Sequence, residues 1–181
     1  IKIPNELISK LKHNELNTDL LENKIVLGLI GYAKSGKDTV AKRFIDGYGF
    51  HRVAFADNIK IEMNQHFKEV VCKDINQRGE IEVEKMRSQG TLVDYQPLQL
   101  KDVDFLTENL YLKRQLRPYI IWYGEKLREI NGPYYWINRA MELDAAGYNN
   151  IILSDVRRSK ELEIFMDSNS FKRRSELGFA A

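Results

Sequence analysis

Residues 28–44, "GLIGYAKSGKDTVAKRF", have the composition and spacing of a loop that binds phosphate groups. Gly31, Gly36 and Lys37 complete the pattern G-x-x-x-x-G-K. In such a loop the glycines let backbone N–H groups point inward at phosphate oxygens, and the lysine reaches the terminal phosphates. An apolar run precedes the loop and a helical pattern follows it, so the helix N-terminus adds partial positive charge. The segment therefore predicts a nucleotide-binding loop rather than an ordinary strand-turn-helix junction.

Asp38 departs from the usual form of this loop, in which a Ser or Thr hydroxyl after the Gly-Lys pair ligates Mg²⁺. A carboxylate can also hold a hard cation, directly or through water, so Asp38 is a candidate metal ligand. Thr39 could supply a hydroxyl instead, but it lies about 100° further round the helix. The alternative is that Asp38 only stabilises the first turn of the helix. The residues alone leave both interpretations open.

A second candidate group is "IILSDVRRSKE", in which an apolar strand ends close to Asp155. An acid in this position is typical of the second element of phosphate-loop proteins, where it holds Mg²⁺ through water. Arg157 and Arg158 would lie at the carboxyl edge of the sheet, where open α/β sheets bind ligands. Their guanidinium groups suit phosphoryl oxygens. The alternative is that Asp155 caps the next helix while both arginines are solvated.

A third group contains basic residues that could hold a second phosphate. Asp57 and Lys60 follow a predicted strand in "AFADNIK", so they could point into the same cleft. A later predicted helix carries Arg114, Arg117 and Arg128, which could clamp a phosphate or simply be surface charges. Nearby aromatic residues are expected to pack in the core rather than to stack on a base; they are Trp122, Tyr134, Tyr135 and Trp136.

Strands that alternate with helices are predicted to position these groups. The strand candidates are "KIVLGLI" (24–30), "FHRVAFA" (50–56) and "NNIILSD" (149–155). Helices are predicted over 38–48, over 58–71 with Asp57 as its cap, from Leu116 onwards, over 134–147, and over 157–167. The alternation predicts an α/β fold, a three-layer sandwich around a parallel sheet. Residues 1–23 are expected to form one or two short helices. Residues 72–112, polar and with few periodic apolar positions, are expected to form an insertion or lid.

Size and composition limit the class of protein. The 181 residues suit a single domain, and a net charge of +2 gives no general signal for nucleic-acid binding. The lone Cys72 excludes an internal disulfide framework and fits a reducing compartment as a small, partly buried residue. No apolar run approaches the roughly 20 residues of a membrane span. The expectation is a cytoplasmic protein with no membrane partner.

Four segments occur in the order seen in one known group of enzymes. They are "GYAKSGKDT", "AFADNIK", "LRPYIIWYGEKLREINGPYYWINRA" and "IILSDVRRSKELE". The chain thereby resembles the phage-type deoxynucleoside monophosphate kinases, which are related to the phosphomevalonate kinase of animals. The Gly-Lys-Asp-Thr ending of the loop and the strand-Asp-x-Arg element are typical of that group. The resemblance covers roughly residues 24–166, with 72–112 poorly matched.

The resemblance implies a three-layer P-loop kinase fold with a helical or lid insertion, which moves the γ-phosphoryl of ATP onto a nucleoside monophosphate with Mg²⁺. It implies that the ATP phosphates are held by Gly31, Ala33, Lys34, Ser35, Gly36, Lys37, Asp38 and Thr39. Lys37, Asp155 and Arg157 become the catalytic residues, and Asp38 and Asp155 the metal ligands. The acceptor residues become Asp57, Lys60, Arg117 and Arg128.

Other functions stay open at this point. The acceptor could be a non-nucleotide phosphate such as phosphomevalonate, or the protein could be a regulatory ATPase or an inactive scaffold. The protein could also form a homodimer. Family members continue past the "RRSKELE" helix into another strand and a basic lid, whereas "DSNSFKRRSELGFAA" follows here. Either this version is shortened or residues are missing before Phe171, in which case Arg173 and Arg174 would belong to the lid.

Overall fold

The structure, a computed structural model, describes residues 1–91, 94, 96–97 and 99–166. Arg173 and Arg174, the lid candidates, lie outside the described residues. Within the described part there are three strands, β1 (Ile25–Gly28), β2 (His51–Val53) and β3 (Asn150–Leu153). Six α-helices accompany them: α1 (Lys37–Tyr48), α2 (Phe55–His66), α3 (Lys68–Ser88), α4 (Leu110–Asn131), α5 (Tyr135–Leu143) and α6 (Ser159–Met166). Two short 3₁₀ helices, Asn5–Leu7 and Thr18–Leu21, precede β1, as expected for the first 23 residues.

The three strands form one parallel sheet in the order β1-β3-β2. Gly28 pairs with Leu153, and Val53 pairs with Leu153 from the other side, so the three strands reach their carboxyl ends at the same level. The central strand is the most buried, because Ile151, Ile152 and Leu153 are completely inaccessible to solvent. A parallel sheet connected through helices is compatible with the α/β class.

The described chain divides into two compact units. The helical unit consists of Ile1–Ile3 and Ile59–Glu125, and the sheet unit of Pro4–Asn58 and Lys126–Ala181, the latter described as far as residue 166. The single-domain expectation, with 72–112 as an insertion, stays a prediction. The core of the sheet unit packs the central strand against apolar residues of α5 and α6, among them Ile137, Met141 and Ile164.

Two buried asparagines fix the first segment of the sheet unit. Asn131 accepts a hydrogen bond of 2.7 Å from the N–H of Ser9 and donates to the carbonyl of Leu7. Asn138 accepts one of 2.9 Å from the N–H of Asn17 and donates to the carbonyl of Glu15. Buried polar groups of an otherwise irregular segment are thus satisfied by side-chain amides.

The structure differs most from the sequence-based expectation at α3, a helix of 21 residues that covers 68–88. The polar stretch from residue 72 was expected to lack helical periodicity. Only Val71, Cys72 and Val83 of this helix are buried, and an interior glycine, Gly79, further weakens the helical signal. Sparse apolar positions in a charged helix explain why its periodicity is hard to recognise. Cys72 itself is 7% exposed, in agreement with a structural role.

The predicted end of α1 is confirmed, whereas the cap and the bounds predicted around α2 are wrong. Helix α1 ends at Tyr48 with Gly49 in the left-handed conformation, as the glycine pair indicated. Helix α2 begins at Phe55, so Asp57 lies in its first turn and is not the N-cap. Phe55 and Ala56 therefore belong to a helix rather than to the second strand. The predicted helix over 58–71 is interrupted at Phe67, the N-cap residue that precedes α3.

Candidate functional site

Three segments that carry the candidate residues leave the sheet at one edge. The loop 29–36 follows β1, residues 154–158 follow β3, and α2 begins two residues after β2. Because the strands are parallel and Gly28, Leu153 and Val53 are in register, all three segments start at the carboxyl edge. Parallel α/β sheets bind their ligands at this edge. The register thus brings the phosphate-loop pattern, Asp155 and Asp57 to the same edge.

The loop between β1 and α1 has the curled backbone that its glycines allow. Gly36 has φ of 85°, a left-handed conformation, and Lys34 is a non-glycine residue with φ of 63°. The N–H of Ser35 donates to the carbonyl of Tyr32 at 3.2 Å, which closes a turn. A Cβ atom on Gly31 would lie only 2.7 Å from the hydroxyl oxygen of Ser35. Both glycines of the pattern therefore meet a local steric requirement.

Lys37, the first residue of α1, folds back over this loop. Its ammonium nitrogen donates to the carbonyl oxygens of Gly31 and Tyr32 at 2.7 and 2.5 Å, and lies 3.4 Å from the hydroxyl oxygen of Ser35. The side chain is half-buried, whereas Ala33, Lys34 and Ser35 are exposed. The positive charge is therefore held within the curve of the loop, where an anionic group would meet it.

Asp38 and Thr39 lie in the exposed first turn of α1. Among the described residues, the Asp38 carboxylate makes no hydrogen bond or ion pair, and no side chain caps the start of α1. A helix-stabilising role for Asp38 would then rest on the helix dipole alone, without a capping hydrogen bond. The carboxylate retains its full set of acceptor sites for a ligand.

Asp155 lies two residues beyond the central strand and contacts the start of α2. One carboxylate oxygen accepts the N–H of Phe55 at 3.1 Å, and the other accepts the N–H of Ala56 at 3.3 Å. Burial raises the pKa of Asp155 above its usual range. The two N–H groups and Arg157 oppose that rise, and the neighbouring Asp57 adds to it. Asp155 does not cap the next helix, α6, because its carboxylate binds the start of α2 instead. Arg157 and Arg158 are exposed, as the same alternative expected.

The start of α6 is organised by Glu161, which the sequence interpretation did not single out. Its buried carboxylate accepts the N–H groups of Arg157 and Arg158 at 2.7 and 2.9 Å. The carbonyl of Arg158 accepts the first bonds of the helix, so Glu161 is the third residue after the N-cap. A glutamate at that position is the second half of a capping box. Arg158 is not one of the residue types that mark an N-cap, so the sequence contains only the glutamate half of this signature.

The predicted acceptor residues are divided between the two units. In the sheet unit, the Asp57 carboxylate forms an ion pair of 3.1 Å with Arg52, and Arg128 is half-buried near the end of α4. In the helical unit, Lys60 is half-buried on α2. The pKa of Glu108 is lowered chiefly by Lys113, and the charge of Lys60 adds to that effect. Arg117 is exposed on α4. A shared role of these four residues at an acceptor stays a prediction.

The four aromatic residues singled out in the sequence are mostly buried, as expected. Tyr134, Tyr135 and Trp136 are 6%, 5% and 1% exposed, and Trp122 is half-buried. The hydroxyl of Tyr134 donates to Glu163 on α6. These rings therefore pack the fold rather than form an open stacking surface.

The acidic groups suit a divalent cation only together with other ligands. Within the described ranges, no group of three or more His, Cys, Asp or Glu side chains could hold a metal ion. Mg²⁺ usually takes one or two carboxylates and fills its other positions with water and substrate phosphates. Asp155 with its two bound N–H groups and Asp38 with its unengaged carboxylate are compatible with that arrangement.

Comparison with protein-family models gives no match to the chain, and comparison with curated proteins and with solved structures gives none either. In the part of the chain that the structure describes, no helix is both long and apolar enough to cross a membrane.

Proposed function

We propose that the protein is a P-loop kinase of the three-layer α/β/α kind that transfers the γ-phosphoryl group of ATP to a nucleoside monophosphate. The observation that carries the proposal is the register of the sheet. The loop that carries Lys37 and the segment that carries Asp155 leave neighbouring parallel strands, β1 and β3, at the same carboxyl edge. A lysine-bearing phosphate loop beside an acid is the pairing that P-loop enzymes use.

Lys37 would bind the terminal phosphates. Its ammonium group already lies against the loop, held by the carbonyls of Gly31 and Tyr32. Phosphate oxygens are stronger acceptors than these carbonyls because they are charged, so the ammonium would exchange the carbonyl contacts for phosphate contacts. The N–H groups at the start of α1 and the left-handed Gly36 would face the same anion.

Asp155 and Arg157 would act at the transfer point, where the bond from the γ-phosphorus to ADP breaks and a bond to an acceptor phosphate oxygen forms. Asp38 and Asp155 would hold Mg²⁺, which would neutralise charge on the phosphates. The guanidinium group of Arg157 would stabilise the charge on the equatorial oxygens. Glu161 fixes the backbone of Arg157, so it is a positioning residue.

The acceptor assignment depends on Asp57, Lys60, Arg117 and Arg128 and on the resemblance of the four sequence segments. It is tested by incubating the full chain with ATP and Mg²⁺ against a panel of ribo- and deoxynucleoside monophosphates, with phosphomevalonate as a non-nucleotide acceptor. Formation of ADP that requires one of the nucleotides supports the proposal. ADP formation with phosphomevalonate and with none of the nucleotides would show that the acceptor is a non-nucleotide phosphate. Fast ADP formation without any acceptor would make it an ATPase, which overturns the proposal.

A further inference from the structure

We propose that the helical unit contains a second small-molecule site, a cavity between α3 and α4 that binds a small organic anion with an apolar body. The cavity has a volume of about 520 Å³, and every residue that lines it belongs to the helical unit. This volume lies within the range of about 300–1,000 Å³ that is typical of small-molecule sites. The site uses none of the residues assigned to phosphoryl transfer.

The wall of the cavity is divided almost equally between apolar and polar surface. Its apolar lining comes from α3, from α4 and from the segment between them, and consists of Ile75, Val83, Met86, Pro97, Leu100 and Pro118. Tyr111 and Tyr119 on α4 add aromatic surface. The apolar side chains of such a wall can remove the body of an organic ligand from water, and its polar groups can orient the ligand.

Gly79 makes room for the ligand. It lies inside α3, where glycine lowers helix stability relative to alanine. Its backbone does not have a positive φ, and the nearest atom to a Cβ placed there is Pro97 Cβ at 4.0 Å, an ordinary contact. Neither the backbone conformation nor crowding therefore requires a glycine. The missing side chain leaves the cavity wall open at this position.

Two arginines on the lining differ in what they contact. Arg78 forms an ion pair of 3.0 Å with Asp74, which also accepts the hydroxyl of Tyr119, so its guanidinium group is already engaged. Arg114, exposed on α4, makes no hydrogen bond or ion pair with any residue that the structure describes. Arg114 can therefore take the anionic group of a ligand whose apolar body lies against the apolar part of the wall. Glu82, the carboxylate on the lining, can accept an N–H or O–H group of the same ligand.

The probe is 1-anilinonaphthalene-8-sulfonate, which combines a flat body, an N–H group and one anionic group. N-phenyl-1-naphthylamine, which lacks the sulfonate, is the neutral comparison. We expect the full chain to bind one molecule of the anionic probe with saturable fluorescence. Arg114→Gln should lower the affinity for the anionic probe about tenfold and leave the affinity for the neutral probe unchanged, because only the charged contact is lost. Lys113→Gln removes a neighbouring charge that does not line the cavity, so it should change the affinity for neither probe.

Gly79 supplies an independent test within the same titration. Gly79→Phe should fill the cavity and abolish binding of both probes, whereas Gly79→Ala should retain both and raise the melting temperature. Binding of the anionic probe that survives Gly79→Phe, or that is equally strong in Arg114→Gln, overturns the proposal. Absence of saturable binding to the parent protein overturns it as well. If Gly79→Phe fails to fold by circular dichroism, the exposed Arg114→Gln variant still decides.

Discussion

The carboxylate of Asp155, just beyond the central strand, accepts the backbone N–H of Phe55, the first residue of α2, at 3.1 Å. Its second oxygen accepts the next N–H of the same helix, that of Ala56. One side chain thus connects the end of β3 to the start of α2 and satisfies two donors that a helix start leaves without partners. If Asp155 acts at a nucleotide site, the same side chain also anchors the start of α2, the helix that carries Asp57 and Lys60.

The first prediction concerns the ionisation of Asp155. Its pKa is raised above the ordinary 3.8, chiefly by burial. The folded state therefore binds the proton more tightly than the unfolded state does, and stability from this group is lost as the pH rises from 3.8 through the raised value. Asp155→Asn does not titrate, so its free energy of unfolding relative to the parent should increase with pH across that window. Denaturant unfolding at several pH values measures the difference.

Carbon-13 titration of the Asp155 carboxyl by NMR gives the same quantity directly. A midpoint below 3.8 would contradict the account, since it would mean that the two N–H groups and Arg157 outweigh burial.

The second prediction concerns Glu161 as a positioning residue. Glu161→Ala leaves the N–H groups of Arg157 and Arg158 without their acceptor, so we expect a loss of about 1–3 kcal/mol of stability. The transfer rate should fall with little change in the affinity for ATP, because the turn before Arg157 is loosened. Glu161→Gln retains an acceptor oxygen and should recover most of the rate. Equal rates in the parent and Glu161→Ala would exclude the positioning role.

The sequence was sufficient to predict features that depend on local chemistry. The loop from Gly31 to Lys37, the end of α1 at its glycine pair and the apolar β3 each depend on a few adjacent residues, and the structure has them. Partners that are distant in sequence could not be predicted. Asp155 lies about a hundred positions from the N–H groups that it accepts, so no spacing rule connects them.

Helix α3 and the buried asparagines illustrate the same limit. The apolar stripe of α3 is sparse because much of the helix faces solvent, so its periodicity is weak. Asn131 and Asn138 read as ordinary polar residues of a helix, since their partners come from the first seventeen residues of the chain. Tertiary contacts determine which of these residues are buried and what they bind, and a single sequence does not reveal those contacts.

The third prediction concerns Gly28, the last residue of β1. A Cβ atom there would lie 2.4 Å from the ring of Phe165 on α6, so Gly28→Ala must displace the ring and should cost about 1–3 kcal/mol. Gly47 in α1 is a matched control, because a Cβ there meets nothing within 4 Å. Gly47→Ala should be neutral or stabilising by up to about 1 kcal/mol. Thermal unfolding should give a lower melting temperature for Gly28→Ala and an equal or higher one for Gly47→Ala; equal shifts in the two variants would contradict the packing of Phe165 against Gly28.

The fourth prediction separates the two roles of Asp38. Asp38→Ser should change the Mg²⁺ concentration needed for half-maximal turnover if the carboxylate takes part in metal binding. It should change stability by less than about 1 kcal/mol, because the side chain is exposed and makes no hydrogen bond within the described residues. Asp46→Ser, at the other end of α1, should leave the Mg²⁺ dependence unaltered. An unchanged Mg²⁺ dependence in Asp38→Ser would assign Asp38 to helix stabilisation alone.

The most direct test of the central claim follows the γ-phosphoryl group itself. The full chain is incubated with ATP labelled in the γ-phosphate, Mg²⁺ and the most active nucleoside monophosphate, and the products are separated by chromatography. The account predicts label in the nucleoside diphosphate, and a loss of at least about a hundredfold in rate with Lys37→Ala, since a charge acting on the transferring group is removed. Label found only in inorganic phosphate, or an undiminished rate in Lys37→Ala, would contradict it.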